Sequence, residues 1–274
     1  MIGPAPTDRG ATPVWGRGKL LAVLAAGGLA VVLLVAGVVM TVWSTVTGQT
    51  AAERPAAGGG PDGQATAAPS AGDARDALAA APLPTAARQD AFPGPISVRD
   101  PGVLALPRPT VVGPAGVPTG FPHTVAGALA QLAAIDVTAM SSGSVDGVRA
   151  VIEEWAAPGG PTTESWTGVA GMASLLSSLG LSSAGSPQLT VVVRPVMGMV
   201  KGVVGEDFAV VCVDLEFTVT LHQTARAAIA DCQRMAWNGD RWWIGPGAEP
   251  APAPSVWPGT DAAIDAGYLE LRYA

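Results

Sequence analysis

The chain has 274 residues, of which 49% are apolar and only 14% charged, with 35 Gly and 25 Pro. So few charges beside so much Gly and Pro do not describe one well-packed globule, so unlike segments must be averaged together. The excess of 22 acidic over 15 basic residues, net −7, speaks against general nucleic-acid binding, and two cysteines exclude both a disulfide-dense scaffold and a multi-Cys zinc site.

The first strong signal is Leu20 to Trp43, 24 consecutive residues without a charge. As a helix this run is roughly 36 Å long, enough to cross a hydrocarbon core of about 30 Å with some tilt. It predicts a single transmembrane helix over 20–43. A secretory signal peptide has a shorter apolar region and an A-x-A-like cleavage site, which Thr45 to Gln49 do not provide. Arg9, Arg17 and Lys19 precede the run and no charge follows until Glu53, so residues 1–19 are placed in the cytoplasm and the remainder outside the cell membrane.

Between Ser44 and Gly120, Pro and Gly account for 23 of 77 residues without a fixed period, and the apolar residues are mostly Ala. This composition predicts a disordered linker over 44–120. Near its end, Ile96 to Val117 gains Val and Leu and can pack as an extended strap.

The folded part is expected over 121–248. Thr124 can cap a helix that buries Val125, Leu129, Leu132, Ile135 and Met140, and Ser144 a second with Val145, Val148, Ile152 and Trp155 on one face. A third helix from about Thr163 should bury Trp166, Val169, Met172 and Leu176 and end at Gly180. The period then changes. Gln188 to Val204 reads as strand, with Pro195 marking an edge, bulge or break. Val211 to Thr220 alternates cleanly, Val211, Val213, Leu215, Phe217 and Val219 on one face and Cys212, Asp214, Glu216, Thr218 and Thr220 on the other. This predicts a half-buried antiparallel strand. A partner strand runs from about Arg226 to Trp237, and the hairpin signal Asn238-Gly239 leads into Asp240 to Ile244. Three helices followed by an antiparallel meander make an α+β domain, with residues 249–274 as a Pro-rich tail that turns helical from Asp261.

No catalytic, cofactor-binding or metal-ligating set stands out. His123 and His222 are the only histidines and have no acidic or thiol neighbour at ligand spacing. Asp214 and Glu216 share a strand face, an arrangement that can serve acid–base chemistry but is usually solvated. Cys212 and Cys232 stand opposite if the turn centres on His222, which allows a disulfide; two buried thiols are the alternative. Trp242 and Trp243 face opposite ways, so one of them is a candidate interaction residue, as is Trp257 in the tail.

Gly120-Phe121-Pro122-His123-Thr124 with Gly127-Ala128 resembles the helix entry of small bitopic membrane proteins of actinobacterial mobile elements. Cys232 to Met235 through Trp237 to Trp242 resembles the last hairpin of NTF2-like domains, and Ser255 to Thr260 with Ala266-Gly267-Tyr268 resembles the C-termini of such proteins. The ratio of 13 Arg to 2 Lys fits a high-GC actinobacterial source. Together these stretches are similar to VirB8/TcpC-like components of conjugative type IV secretion. The resemblance implies one membrane helix, a disordered linker and an extracytoplasmic NTF2-like domain of three helices on a curved antiparallel sheet, and it implies a scaffold rather than an enzyme.

The expected function is therefore a non-enzymatic, membrane-anchored structural or accessory subunit of a conjugation or type IV secretion-like apparatus. Its partners would be other membrane subunits or further copies of itself, with no cofactor and no direct nucleic acid. The alternative is an extracytoplasmic domain that binds or senses a small ligand on the concave face of the sheet. An enzyme in the same cone would need a polar pair deep in the pocket, against which the apolar face of Val211 to Val219 argues. Charge also divides along the chain, +2 over residues 1–43 and −9 beyond, which favours protein partners over DNA.

Overall fold

The computed structural model describes residues 70–274. The expected cytoplasmic N-terminus over 1–19, the membrane span over 20–43 and the first part of the linker, 44–69, lie outside the described residues. In chain order the elements are α1 (Ala71–Ala80), β1 (Val103–Leu106), β2 (Val111–Val112), β3 (Pro118–Thr119), α2 (Val125–Ser141), α3 (Val145–Trp155), α4 (Thr167–Ser178), β4 (Thr190–Val203), β5 (Phe208–Thr220), β6 (Thr224–Trp237), β7 (Trp242–Ile244), α5 (Asp261–Asp265) and β8 (Leu269–Tyr273).

Local chemistry explains the helix ends. Thr124 and Ser144 are N-caps whose side chains accept from the Gly127 and Gly147 amides. Helix α4 begins after a turn at Thr162–Ser165, later than its apolar spacing suggests, and Trp166 gives it no side-chain cap. It stops in a Schellman arrangement. Gly180 takes the left-handed conformation at φ 69°, and the Leu181 N–H donates to the Leu176 carbonyl.

Six strands form one sheet in the order β1-β8-β4-β5-β6-β7. β4 to β7 are antiparallel neighbours, β8 is antiparallel to β4, and β1 runs parallel to β8. Pro195 is tolerated in β4 because the ladder with β5 shifts register between Pro195 and Met197, while β8 pairs only with Met197 and Gly198. Helices α2, α3 and α4 cover one face, packing Leu129, Leu132, Ile135, Ile152, Trp155 and Trp166 against the inward residues of β5. On the opposite face the C-terminal segment lays Val256, Ala263 and Tyr268 over Met197, Met199 and the Cys212–Cys232 pair.

Among the described residues no helix is long and apolar enough to cross a membrane, and the expected span lies outside them. Two features correct the fold expected from sequence. The sheet is mixed and six-stranded rather than an NTF2-like antiparallel meander, because β1 and β8 come from segments read as linker and tail. The linker is not disordered from residue 70 onward. Ser70 and Asp73 form a reciprocal capping box that starts α1, and Leu106 and Val117 are fully buried in the main core. Composition concealed this, since a few well-spaced apolar residues suffice to dock a Pro-rich segment whose prolines and glycines serve as turns.

Charge also ties α1 down. Arg234 is 6% exposed, and a cation so placed must be paired. It donates to Asp76 Oδ1 at 2.6 Å and to the Ala248 carbonyl at 2.7 Å, joining α1, β6 and the C-terminal segment. Buried Gln131 on α2 similarly holds the β3 segment, accepting from Thr119 Oγ1 and donating to the Pro118 carbonyl.

Tyr268 shows how far the domain depends on its tail, being 1% exposed with its hydroxyl donating to the Pro254 carbonyl at 3.1 Å. Tyr268→Ala is expected to cost about 3–5 kcal/mol, the usual range for removing a buried aromatic ring. Denaturant melts of the full-length chain measure it; a loss below about 1 kcal/mol would show that the tail docks without contributing to the fold.

Candidate functional site

Along β6, Ala225, Ala227, Ile229, Asp231 and Gln233 stand opposite Val219, Phe217, Leu215, Val213 and Val211 of β5. Opposite residues share a face, so this set points toward the helices. The wall is apolar at one end and turns polar at Asp231. β7 pairs only with Met235 to Trp237, so the earlier part of β6 lacks a neighbouring strand on its outer side. Between that edge, α4 and the segment from Glu249 to Ala253 lies a cavity of about 590 Å³.

The cavity wall is mostly hydrocarbon and sulfur: Met140, Trp166, Met172 and Leu175 from the helices, Phe217 and Ile229 from the sheet. Two glycines of α4 also line it. A Cβ at Gly168 would come within 2.8 Å of Met140 Cε and 3.0 Å of the Trp166 ring, so a side chain there would have to displace the methionine end. At Gly171 a Cβ would meet nothing within 4 Å, so this position opens on empty space.

Three carboxyl groups from three elements meet on this wall, Asp136 of α2, Asp231 of β6 and Glu249 of the C-terminal segment. Asp136 is buried, and among the described residues its Oδ2 has no hydrogen-bond partner. Burial, followed by the charge of Asp231, pushes the Asp136 carboxyl well above the usual carboxylate range. Burial and then the charge of Glu249 push Asp231 up to about 7, and burial raises Glu249 as well.

Other contacts hold this group in place. Gln233 donates its Nε2 to both oxygens of Asp231 at 3.1 Å and to Glu249 Oε1 at 3.0 Å. Glu249 accepts from the backbone N–H of Thr167, at 3.2 and 3.3 Å, and from its hydroxyl at 3.0 Å, so it caps α4 where Trp166 cannot. Chemically, such a wall can hold a cation or move a proton.

The residues singled out from sequence lie elsewhere, apart from Cys232 at the cavity edge. Cys212 and Cys232 are directly opposite and disulfide-bonded. Asp214 and Glu216 do not form a solvated pair. Glu216 bonds Arg226, whereas Asp214 is 0% exposed beneath the C-terminal segment with neither oxygen hydrogen-bonded; burial pushes its carboxyl well up, offset in part by the Val256 amide. His123 stacks on Trp237 at 4.5 Å with Nε2 2.9 Å from Asp207 Oδ1, and His222 lies exposed in the β5–β6 turn. Trp242 is a core residue donating to the Pro122 carbonyl, Trp257 is buried under Arg226, and Trp243 is half-buried.

Sequence reasoning missed Asp136, Asp231 and Glu249. One signal was present: Asp136 is the single charged residue in the 17 of α2. The polar pair whose apparent absence argued against chemistry in the cone is thus present, supplied by α2 and β6 rather than β5. Among the described residues no group of His, Cys, Asp and Glu is arranged to hold a metal ion. Comparison with models of known families, with curated proteins and with solved structures finds no match, so the VirB8/TcpC resemblance rests on its short stretches alone.

The raised carboxyls give a pH test with a definite sign. Their folded-state values lie above the unfolded values near 4, so the native state holds extra protons between about pH 4 and 7 and loses stability as pH rises through that window. The full-length chain should melt lower at pH 8 than at pH 5, and Asp231→Asn should remove on the order of 2 kcal/mol of that drop. Equal slopes in wild type and variant would mean that the cavity carboxyls are not held protonated by the fold.

Proposed function

We propose that this domain is a non-enzymatic small-ligand-binding module whose ligand occupies the cavity between α4, β6 and the Glu249–Ala253 segment. One observation carries the reading: a cavity of about 590 Å³ with apolar walls and a few convergent polar groups falls within the size and character of small-molecule sites. A purely structural subunit has no need of such a space, since apolar surface left facing water forgoes the stabilisation that burial would give. The ligand reading therefore takes precedence over the accessory-subunit role suggested by the resemblance. Binding rather than turnover is supported by the lining. No histidine or free thiol stands beside the carboxyls among the described cavity residues, and the one hydroxyl bonded to them, that of Thr167, is used with its own N–H in the cap that Glu249 gives α4.

Gly171 provides the test, because its side-chain direction is open and a larger residue there fills the cavity. The neutral apolar fluorophore N-phenyl-1-naphthylamine should bind the full-length chain saturably at one site. Gly171→Phe should weaken that binding by about tenfold or more while keeping a cooperative melt, since replacing a mid-helix glycine favours the helix. Undiminished binding by a folded Gly171→Phe chain would place the probe elsewhere and overturn the proposal.

A further inference from the structure

The charges around the cavity do not balance. Asp136, Asp231 and Glu249 face it from α2, β6 and the C-terminal segment, and α4 carries no charged residue. The basic residue on the wall, Arg226, lies five positions before Asp231 on the same strand, about 17 Å away at strand spacing. It is already engaged with Glu216 and the face of Trp257. Asp214 and Tyr268 belong to the opposite face of the sheet. The acidic end of the cavity thus has hydrogen-bond support from Gln233 and Thr167 but, among the described residues, no counter-charge.

An independent feature lies on the same wall. Three tryptophans are almost completely buried, and two have their indole N–H satisfied: Trp155 by the Pro114 carbonyl at 3.1 Å and Trp242 by the Pro122 carbonyl at 3.0 Å. Trp166, 1% exposed and lining the cavity, has no partner for its Nε1 among the described residues. A buried donor without an acceptor is costly, and a bound molecule with an oxygen acceptor would remove that cost.

We propose that the cavity takes an amphiphilic amine, its ammonium group set among Asp136, Asp231 and Glu249, its apolar body along α4 and β5, and an oxygen acceptor within reach of Trp166. This assignment rests on the cavity being a ligand site. An ammonium offers three donors to a wall rich in acceptors, and a charged donor to a carboxylate makes the stronger class of hydrogen bond. A bare metal ion fits less well, because the carboxyls are not disposed as a ligand cluster. Since a bound cation favours the ionised carboxyls, whereas burial favours their neutral form, binding releases protons and affinity rises with pH. The amine itself stays charged over that range.

Competition against N-phenyl-1-naphthylamine in the full-length chain tests the assignment, with decylamine, 1-decanol and decanoic acid as probes of equal chain length. Decylamine should displace the fluorophore at about tenfold lower concentration than 1-decanol at pH 8, and decanoic acid should be the weakest. At pH 5 the advantage of the amine should fall to about threefold or less. Calorimetry in two buffers of different ionisation heat should detect proton release when decylamine binds near neutral pH. Asp136→Asn combined with Asp231→Asn should collapse the ratio of decylamine to 1-decanol affinity. If 1-decanol and decylamine bind equally, or the preference survives in the double variant, the amine assignment is overturned while the ligand site stands. If neither displaces the probe, or the probe itself does not bind, the ligand reading falls with it.

Discussion

Burial of β5 on both faces is the constraint on which the rest of the domain depends. From Phe208 to Leu215 every residue of this strand is buried, so neither face of the sheet centre can be left to water. Three helices cover one face. The other requires a second layer, and the chain supplies it from its two flanks, α1 over Phe208 and Val210 and the C-terminal segment over Cys212. Docking the segment over 70–120 and the tail is thus not an embellishment of a core that would stand without them. Arg234 makes the same point in electrostatic terms, since its burial is tolerable only with Asp76 of α1 and the Ala248 carbonyl beside it.

The cavity follows from where this covering stops. β7 ends its pairing at Met235, and α4 presents glycines where a larger side chain would have reached the sheet. The space that results is flanked by Asp231 because β6, unlike β5, changes from apolar to polar along its inward face. Asp136 comes to the same place from a helix otherwise built of small and aliphatic residues. Neither carboxyl would be stable alone in such surroundings. Burial favours the neutral form of both, and Gln233 supplies a donor to Asp231 from its own strand.

Much of this architecture was legible in the sequence, and the exceptions have physical causes. The helix caps at Thr124 and Ser144, the clean alternation after Val211 and the Asn238-Gly239 turn are signals of local geometry, and local geometry realised them. Alternation was also what misled. It gave β5 one solvated face, yet Cys212 and Asp214 on that face are completely buried, because the covering layer is contributed by residues more than 30 positions away. Composition misled in the same manner for 70–120, where frequent Pro and Gly concealed β1 and a capped helix. The site was hidden for a related reason. Asp136, Asp231 and Glu249 lie far apart in sequence, and only the packing of α2 on β6 and the return of the chain along α4 bring them together.

The edge position of β6 raises the question of how one wall of the cavity keeps its shape without a strand beside it. Two devices answer it. The Cys212–Cys232 disulfide fixes β6 to β5 one residue from Asp231, and the Ser255 hydroxyl accepts from the Ala230 N–H on the side that a neighbouring strand would have used. With both in place the polar end of the wall is held on each side by groups that do not depend on a ligand. Glu249 is fixed likewise, since its role as the cap of α4 ties the carboxylate to the helix that forms the opposite wall. A cavity built in this manner is organised before anything enters it. On the proposed ligand reading, the free energy of a binding contact is then not spent on ordering the wall.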